Sequence, residues 1–306
     1  MGGLTNEIRE PAVEVVPLTP ADLPALGSTG NPRIDVADMR AMLEAAPGRS
    51  FWVPDTAEFI LVQAWRNREE LPSIHTLWSF TGDDALIRAA ADAAQRLDAA
   101  ALVMLETGER RSPTFYHRHG FVRIETIRTY EHVEPEVLAR QIVPGSQSFS
   151  EVTLNRPDLL TAVIEIDHHA FPWFWWNSEA EFDTYLQQPG VEVWAGLRDG
   201  EVVSYIGITS FHHWAHLDRI AVDPMRQGQG LGRSAVTFAA ERMLGAGARR
   251  IGLSTQGSNR VSRHLYESLG FQHTRQSDYD VFGIVFDADR VYRAARRVLS
   301  SDESGS

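Results

Sequence analysis

Shifted by 150 residues, this chain of 306 overlays on itself. The stretch LYESLGFQHTRQ, from Leu265, falls on FYHRHGFVRIET, from Phe115, with Tyr266 over Tyr116 and Gly270-Phe271 over Gly120-Phe121. A shift of 149 sets the strand-like RRIGLSTQ over AALVMLET, and the shift of 150 sets the helical run after Gly232 over DDALIRAAADAAQRL. Self-similarity at a fixed offset means one folding unit used twice. That constrains the chain to two related halves, a division its length also favours.

The expected boundaries are 1–135 for the first copy, 136–147 for a linker marked by Pro144, Gly145 and Ser146, and 148–287 for the second copy. Residues 288–306 read as a short basic helix and a low-complexity, disordered tail. In the second half two β-branched, aromatic-rich runs flank Asp199-Gly200, a hairpin signal. A third strand, WAHLDRIAV, a glycine loop, and then helix, strand, helix and two strands follow. The expected fold class is α/β, a mixed sheet flanked by helices.

No apolar run reaches the length of a membrane span and no cationic, apolar leader opens the chain, so a cytoplasmic protein with no membrane partner is expected. The chain has no Cys and no Lys, which excludes thiolate nucleophiles, disulfides and a lysine base. The net charge of −12 disfavours nucleic acid and suits a cationic partner. HHWAH, 212–216, lacks a companion carboxylate at metal-ligand spacing, so no metal is expected.

The segment VDPMRQGQGLGRSAV puts Gly228, Gly230 and Gly232 at the head of a helix. Side-chain-free backbone there lets amide groups and the positive helix end approach a phosphate. Gln227-Gly228-Gln229-Gly230-Leu231-Gly232 fits the Q/R-x-x-G-x-G/A loop of the GNAT superfamily of acetyl-CoA-dependent N-acyltransferases. The segment 148–286 also resembles that family in the AVDP before the loop, in Asn259 at the next helix head, and in LYESLGF at its end. The resemblance implies tandem GNAT-like domains, with acetyl-CoA as co-substrate.

It further implies that residues 227–233, Gln227 to Arg233 with Gln229 and Leu231 among them, hold the pyrophosphate. Ile220, Ala221 and Val222 would meet the pantetheine arm along the strand, with Asn259 and Ser262 near the cofactor. Asn259 equally suits a helix N-cap. In the first half only Gly82 survives of the loop, and Asp83 and Asp84 follow it, expected to cap the amides a pyrophosphate would use.

Tyr266 sits where the family usually has its acid and is the candidate proton donor to the leaving thiolate; a half-buried core tyrosine is the alternative. On the strand AHLDRIAV, His216 and Asp218 share a face, Asp218 being the first candidate base and His216 the second. A structural hydrogen bond suits Asp218 equally. In FPWFWW, Phe171, Trp173, Trp175 and Trp176 either pack a core or wall the acceptor site.

The expected activity is transfer of acetyl from acetyl-CoA to a primary amine, on a small molecule or peptide, by direct attack, in a possible homodimer. The alternatives are a non-catalytic acyl-CoA-binding or regulatory protein, and transfer of a longer acyl group.

Overall fold

The computed structural model describes residues 13–26, 34–106, 111–141 and 147–294. The first half runs β1 (Val16–Pro17), α1 (Val36–Ala45), β2 (Phe51–Val53), β3 (Glu58–Trp65), β4 (Arg68–Trp78), α2 (Asp83–Arg96), β5 (Ala101–Leu105), α3 (Pro113–Arg118) and β6 (Val122–His132). After α4 (Pro135–Ala139) the second half runs β7 (Ser148–Val152), α5 (Pro157–Ala170), α6 (Glu179–Leu186), β8 (Val191–Arg198), β9 (Glu201–Phe211) and β10 (Trp214–Val222). It continues through α7 (Leu231–Gly245), β11 (Arg250–Gln256), α8 (Arg260–Ser268), β12 (Gln272–His273), β13 (Tyr279–Val285) and α9 (Ala288–Val291). Pro144 to Ser146 of the expected linker and the tail from 295 lie outside the described residues.

Local chemistry places many of these elements. Asp199 and Gly200, with φ of 54° and 85°, form the two-residue turn between β8 and β9, because such a turn needs positive φ at both positions. Asp35, Ser112 and Ser178 each accept a bond from an amide in the first turn of α1, α3 and α6.

The strands of the described residues join one mixed sheet, in the order β1-β2-β3-β4-β5-β13-β6-β11-β10-β9-β8-β7, with β12 paired to β6. The order is palindromic: five strands of each half run inward from opposite ends, and β4–β5 and β10–β11 are the parallel pairs. At the centre the last strands are exchanged. First-half β6 pairs with second-half β11 from Ile127 to His132, and second-half β13 pairs with first-half β5. The exchange covers edges that would otherwise be exposed.

Helices α7 and α8 pack one face of the second half around Ala215, Leu217, Ile251 and Leu253, while α5 and α6 pack the other around Val193, Tyr205 and Ala221. The segment expected as linker contributes α4, whose Leu138 is fully buried in the α7 core. No helix of the described residues is long and apolar enough to cross a membrane.

Candidate active site

Strand β10 pairs with β9 along its length, except at a bulge between Leu217 and Arg219. A bulge inserts one unpaired residue and shifts side-chain alternation. Before it, Ala215 and Leu217 face α7; after it, Arg219 and Ala221 face α5. Asp218 is the inserted residue, so His216, Asp218 and Arg219 gather on the α5–α6 face.

The parallel ladder between β10 and β11 covers Trp214–Leu217 against Arg250–Leu253 and ends there, although β10 runs on to Val222 and β11 to Gln256. The two strands part at the bulge. Residues Arg219 to Val222 therefore turn a main-chain edge toward a gap rather than a partner strand.

At the wide end of the gap lies the glycine loop. Gly228 and Gly230 have φ of 78° and 80°, left-handed values that disfavour a Cβ, and Gly230 is the N-cap of α7. Gly232 serves packing: a Cβ there would lie 3.2 Å from Leu265 Cδ2 on α8. Among the described residues no side chain hydrogen-bonds the amides of Gly228 to Gly232. The side chains beside them look elsewhere: Gln229 Oε1 accepts from Arg198 at 2.8 Å and Gln227 Nε2 donates to the Val222 carbonyl at 3.3 Å. An uncapped helix start of this kind favours an anion.

A glycine helix start, a bulged strand and a parting parallel pair thus lie along one stretch of chain, next to a pair of titratable side chains. Residues 160–271, which contain all three, match the model of the Acetyltransferase (GNAT) family. The [ribosomal protein bS18]-alanine N-acetyltransferase of Escherichia coli K12 is 32% identical over 120 residues, 39% of this chain and 78% of that protein. The chain belongs to the GNAT acetyltransferase family. A mycothiol acetyltransferase of Kytococcus sedentarius is 35% identical over 83 residues, 24% of this chain and 26% of its own length, so the match spans about a quarter of that relative. A solved tandem GNAT protein from the clavulanic acid biosynthesis pathway shares the fold at TM-score 0.55 and 18% identity, over 88% of this chain and 97% of that one.

Against the GNAT family's plan, the polar groups on the α5–α6 face form a closed set. Asp218 Oδ1 meets His216 Nδ1 at 2.7 Å, while Oδ2 accepts from Thr209 Oγ1 at 2.5 Å and from the Tyr185 hydroxyl. Burial and the neighbouring Asp218 carboxylate push the Tyr185 phenol well above its ordinary range, so it stays a donor. Tyr266 lies on the opposite face, in the α7–α8 core beside Tyr130 and Phe271. Burial raises its pKa too, against an opposing hydrogen bond with Ser262, and the phenol keeps its proton. Asn259 is the N-cap of α8, accepting from the Ser262 amide at 3.1 Å.

Arg233 points away from the loop, donating to Gln141 Oε1 at 3.2 Å and Ser268 Oγ at 2.7 Å. Leu231 is buried. Trp173 and Trp175 do not line a cleft: at 8% and 7% exposure they pack with Phe174 against first-half Leu71, Ala100 and Val103, and the exchanged strands draw this segment into the seam. Arg68 Nη1 caps the Trp173 carbonyl at 2.6 Å, and Arg66 Nη1 reaches Asn177 Oδ1 at 2.6 Å. Trp176 and Phe171 are half-buried, Trp176 donating to the Phe171 carbonyl and stacking on His168. Behind them a buried Asp167 accepts from Arg219 Nε at 2.6 Å, the Asn177 amide at 3.0 Å and the Tyr205 hydroxyl, tying this segment to β10.

The first-half cleft is filled by the chain itself. Glu58 Oε2 accepts from the amides of Phe80, Thr81 and Gly82 at 3.0, 3.1 and 2.7 Å and from Ser79 Oγ at 2.6 Å, and Oε1 accepts from Thr81 Oγ1 at 2.9 Å. The expected cap was Asp83 or Asp84. Asp83 instead bonds the Asp84 amide and pairs with Arg118, and Asp84 pairs with His119. The β4 bulge inserts His75, the counterpart of Asp218, so Leu77 stands where Ile220 stands. Arg111 Nη2 donates to the Leu77 carbonyl at 2.8 Å.

Sequence reasoning missed Glu58, Arg111, Tyr185 and Thr209. Glu58, Arg111 and Tyr185 act on residues more than twenty positions away, Thr209 acts across the β9–β10 pair on Asp218, and none carries a local motif.

Proposed function

We propose that the second half is an acetyl-CoA-dependent N-acetyltransferase acting on a primary amine, one active site per chain. The observation that carries this reading is the conjunction of the uncapped α7 start with the β10–β11 gap. Amides of Gly228 to Gly232 would hold the pyrophosphate, and the edge of Ile220 to Val222, where Gln227 holds the Val222 carbonyl, would receive the pantetheine arm. Acetyl-CoA supplies the activated acetyl thioester.

The residues then divide the proton work. Both oxygens of Asp218 are already engaged, so Asp218 orients His216 and His216 is the base: with Nδ1 donating to Asp218, Nε2 carries the lone pair that takes the amine proton. As the amine nitrogen bonds to the thioester carbonyl carbon and the carbon–sulfur bond breaks, Tyr266 gives its proton to the thiolate. A main-chain amide at the bulge would steady the oxyanion.

The E. coli relative's name gives an alanine of ribosomal protein bS18, and the other relative's name gives mycothiol. Neither fixes the acceptor here. Calorimetric titration of acetyl-CoA tests the reading: one site per chain is expected, two sites would mean the first half also binds, and none would favour a non-catalytic role.

A further inference from the structure

The aromatic cluster picked out in the sequence is in the seam, but a second one stands beside the proposed base. His216, Gly252 and Glu131 are in register across β10, β11 and β6. Their neighbours Leu217, Leu253 and Tyr130 are buried under α7 and α8, so these three share the opposite face, that of Tyr185. Gly252 leaves a slot in this face. A Cβ there would come 3.1 Å from Trp214 Cζ2 and 3.4 Å from His216 Cδ2, so the Trp214 indole lies down across the glycine.

From there a row of rings leads outward. Trp214 and His216 have centroids 5.7 Å apart, and Phe211 stacks on Trp214 at 5.2 Å and 22°. Trp214 is 40% and Phe211 51% exposed, unlike the buried tryptophans of the seam. Glu131, a strand-exchanged residue of the first half held by Arg250 at 2.6 Å, closes the far side with a carboxylate.

Resting on the transferase reading, we propose that Trp214 is the acceptor platform and that the acceptor is a primary amine carried on a short tether from a flat aromatic group. The position and charge of the platform argue for this. The chain of β10 leads from Trp214 through His216 to the bulge and on to the glycine loop, so Trp214 lies beyond the base on the side away from the pyrophosphate. A ring stacked on Trp214 with its nitrogen at His216 needs a span of about 5–6 Å, which a two- or three-atom tether provides. Asp218 favours the ammonium form on arrival, Glu131 being already paired with Arg250, and the indole face adds a cation–π and stacking contribution. An aliphatic amine of equal charge gains the electrostatics but not the stacking.

The test is calorimetric binding of 2-phenylethylamine and n-butylamine to the CoA-saturated full chain, in the wild type, Trp214→Ala and Trp214→Phe. Wild type should bind the aryl amine roughly tenfold more tightly or better, W214A should lose that preference, and W214F should keep most of it. Acetyl-CoA affinity should be the same in all three, which also reports folding. Equal binding of the two amines by the wild type, or a preference that survives W214A, overturns the proposal. So does a change in sedimentation of W214A, which would make the aromatic step an interface between copies. Loss of the single acetyl-CoA site in the wild type would sink the transferase reading instead, and is read in a separate titration.

Discussion

At the start of α7 the loop amides of residues 228–232 meet no side chain of the described residues; at the start of α2 the amides of residues 80–82 converge on the Glu58 carboxylate. The same contrast holds one step inward, where the Ile220 edge faces a gap while its counterpart Leu77 is bonded by Arg111. Both halves use one plan, and the first has placed its own carboxylate on the loop amides and its own arginine on the Leu77 carbonyl. Loop length goes with this. Four residues, 79–82, join β4 to α2, against eight, 223–230, between β10 and α7. The short loop wraps a carboxylate; the long one carries two left-handed glycines and no side-chain cap. The loop amides of the first half are thus occupied from within, by a carboxylate of the same chain.

The comparison can be broken most forcefully at Glu58. Glu58→Ala strands three amides and two hydroxyls and should cost about 2–4 kcal/mol in urea unfolding, and a loss below about 1 kcal/mol would show that the carboxylate is incidental. The same residue fixes a pH signature. Its hydrogen bonds hold its pKa down at about 2 in spite of burial. A depressed carboxylate stabilises above its unfolded pKa, and the contribution fades as pH falls from there through about 2. The wild type's stability advantage over Glu58→Gln should therefore shrink across that acid range, and a constant difference would contradict it.

Next in size, Gly230→Val forces a β-branched residue to a φ of 80° and should weaken acetyl-CoA binding about 100-fold, some 2.7 kcal/mol. Gly82→Ala, crowding Glu58 Oε2 at 3.0 Å, should lower stability and leave acetyl-CoA affinity alone. Equal effects of the two on binding would erase the distinction between the loops. Tyr266→Phe should reduce kcat about tenfold with acetyl-CoA Kd unchanged, and unaltered turnover would remove the phenol from the mechanism. Tyr116→Phe, its counterpart, should leave turnover untouched. Smallest of all, Arg111→Met should cost about 1 kcal/mol and leave one acetyl-CoA per chain; a second site appearing would mean that Arg111 alone keeps the first cleft closed.

Much of the plan was legible in the chain. Asp199-Gly200, the β10 run and the glycine helix start are local signals, set by φ preferences and side-chain period, and the structure places them where those signals pointed. His216 and Asp218 were legible as a pair because strand alternation puts i and i+2 together. That both oxygens of Asp218 are engaged was not, since Tyr185 and Thr209 reach it from α6 and β9. The aromatic run was legible as aromatic and ambiguous in place: whether Trp173 faces a ligand or a core is decided by what the fold brings against it.

What the sequence by itself determined is therefore the repeated unit, its mixed α/β class, the location of the phosphate-type loop and the strand that carries the candidate base. Periodicity, glycine spacing and turn chemistry are properties of neighbouring residues. Only the tertiary structure decided that β6 and β13 trade places, that Glu58, 24 residues from Gly82, fills the first cleft, and that Glu131 of one half borders the candidate site of the other. Those outcomes rest on pairings between distant segments, whose register is chosen by burial of whole faces, and no local pattern records which distant edge will supply the partner.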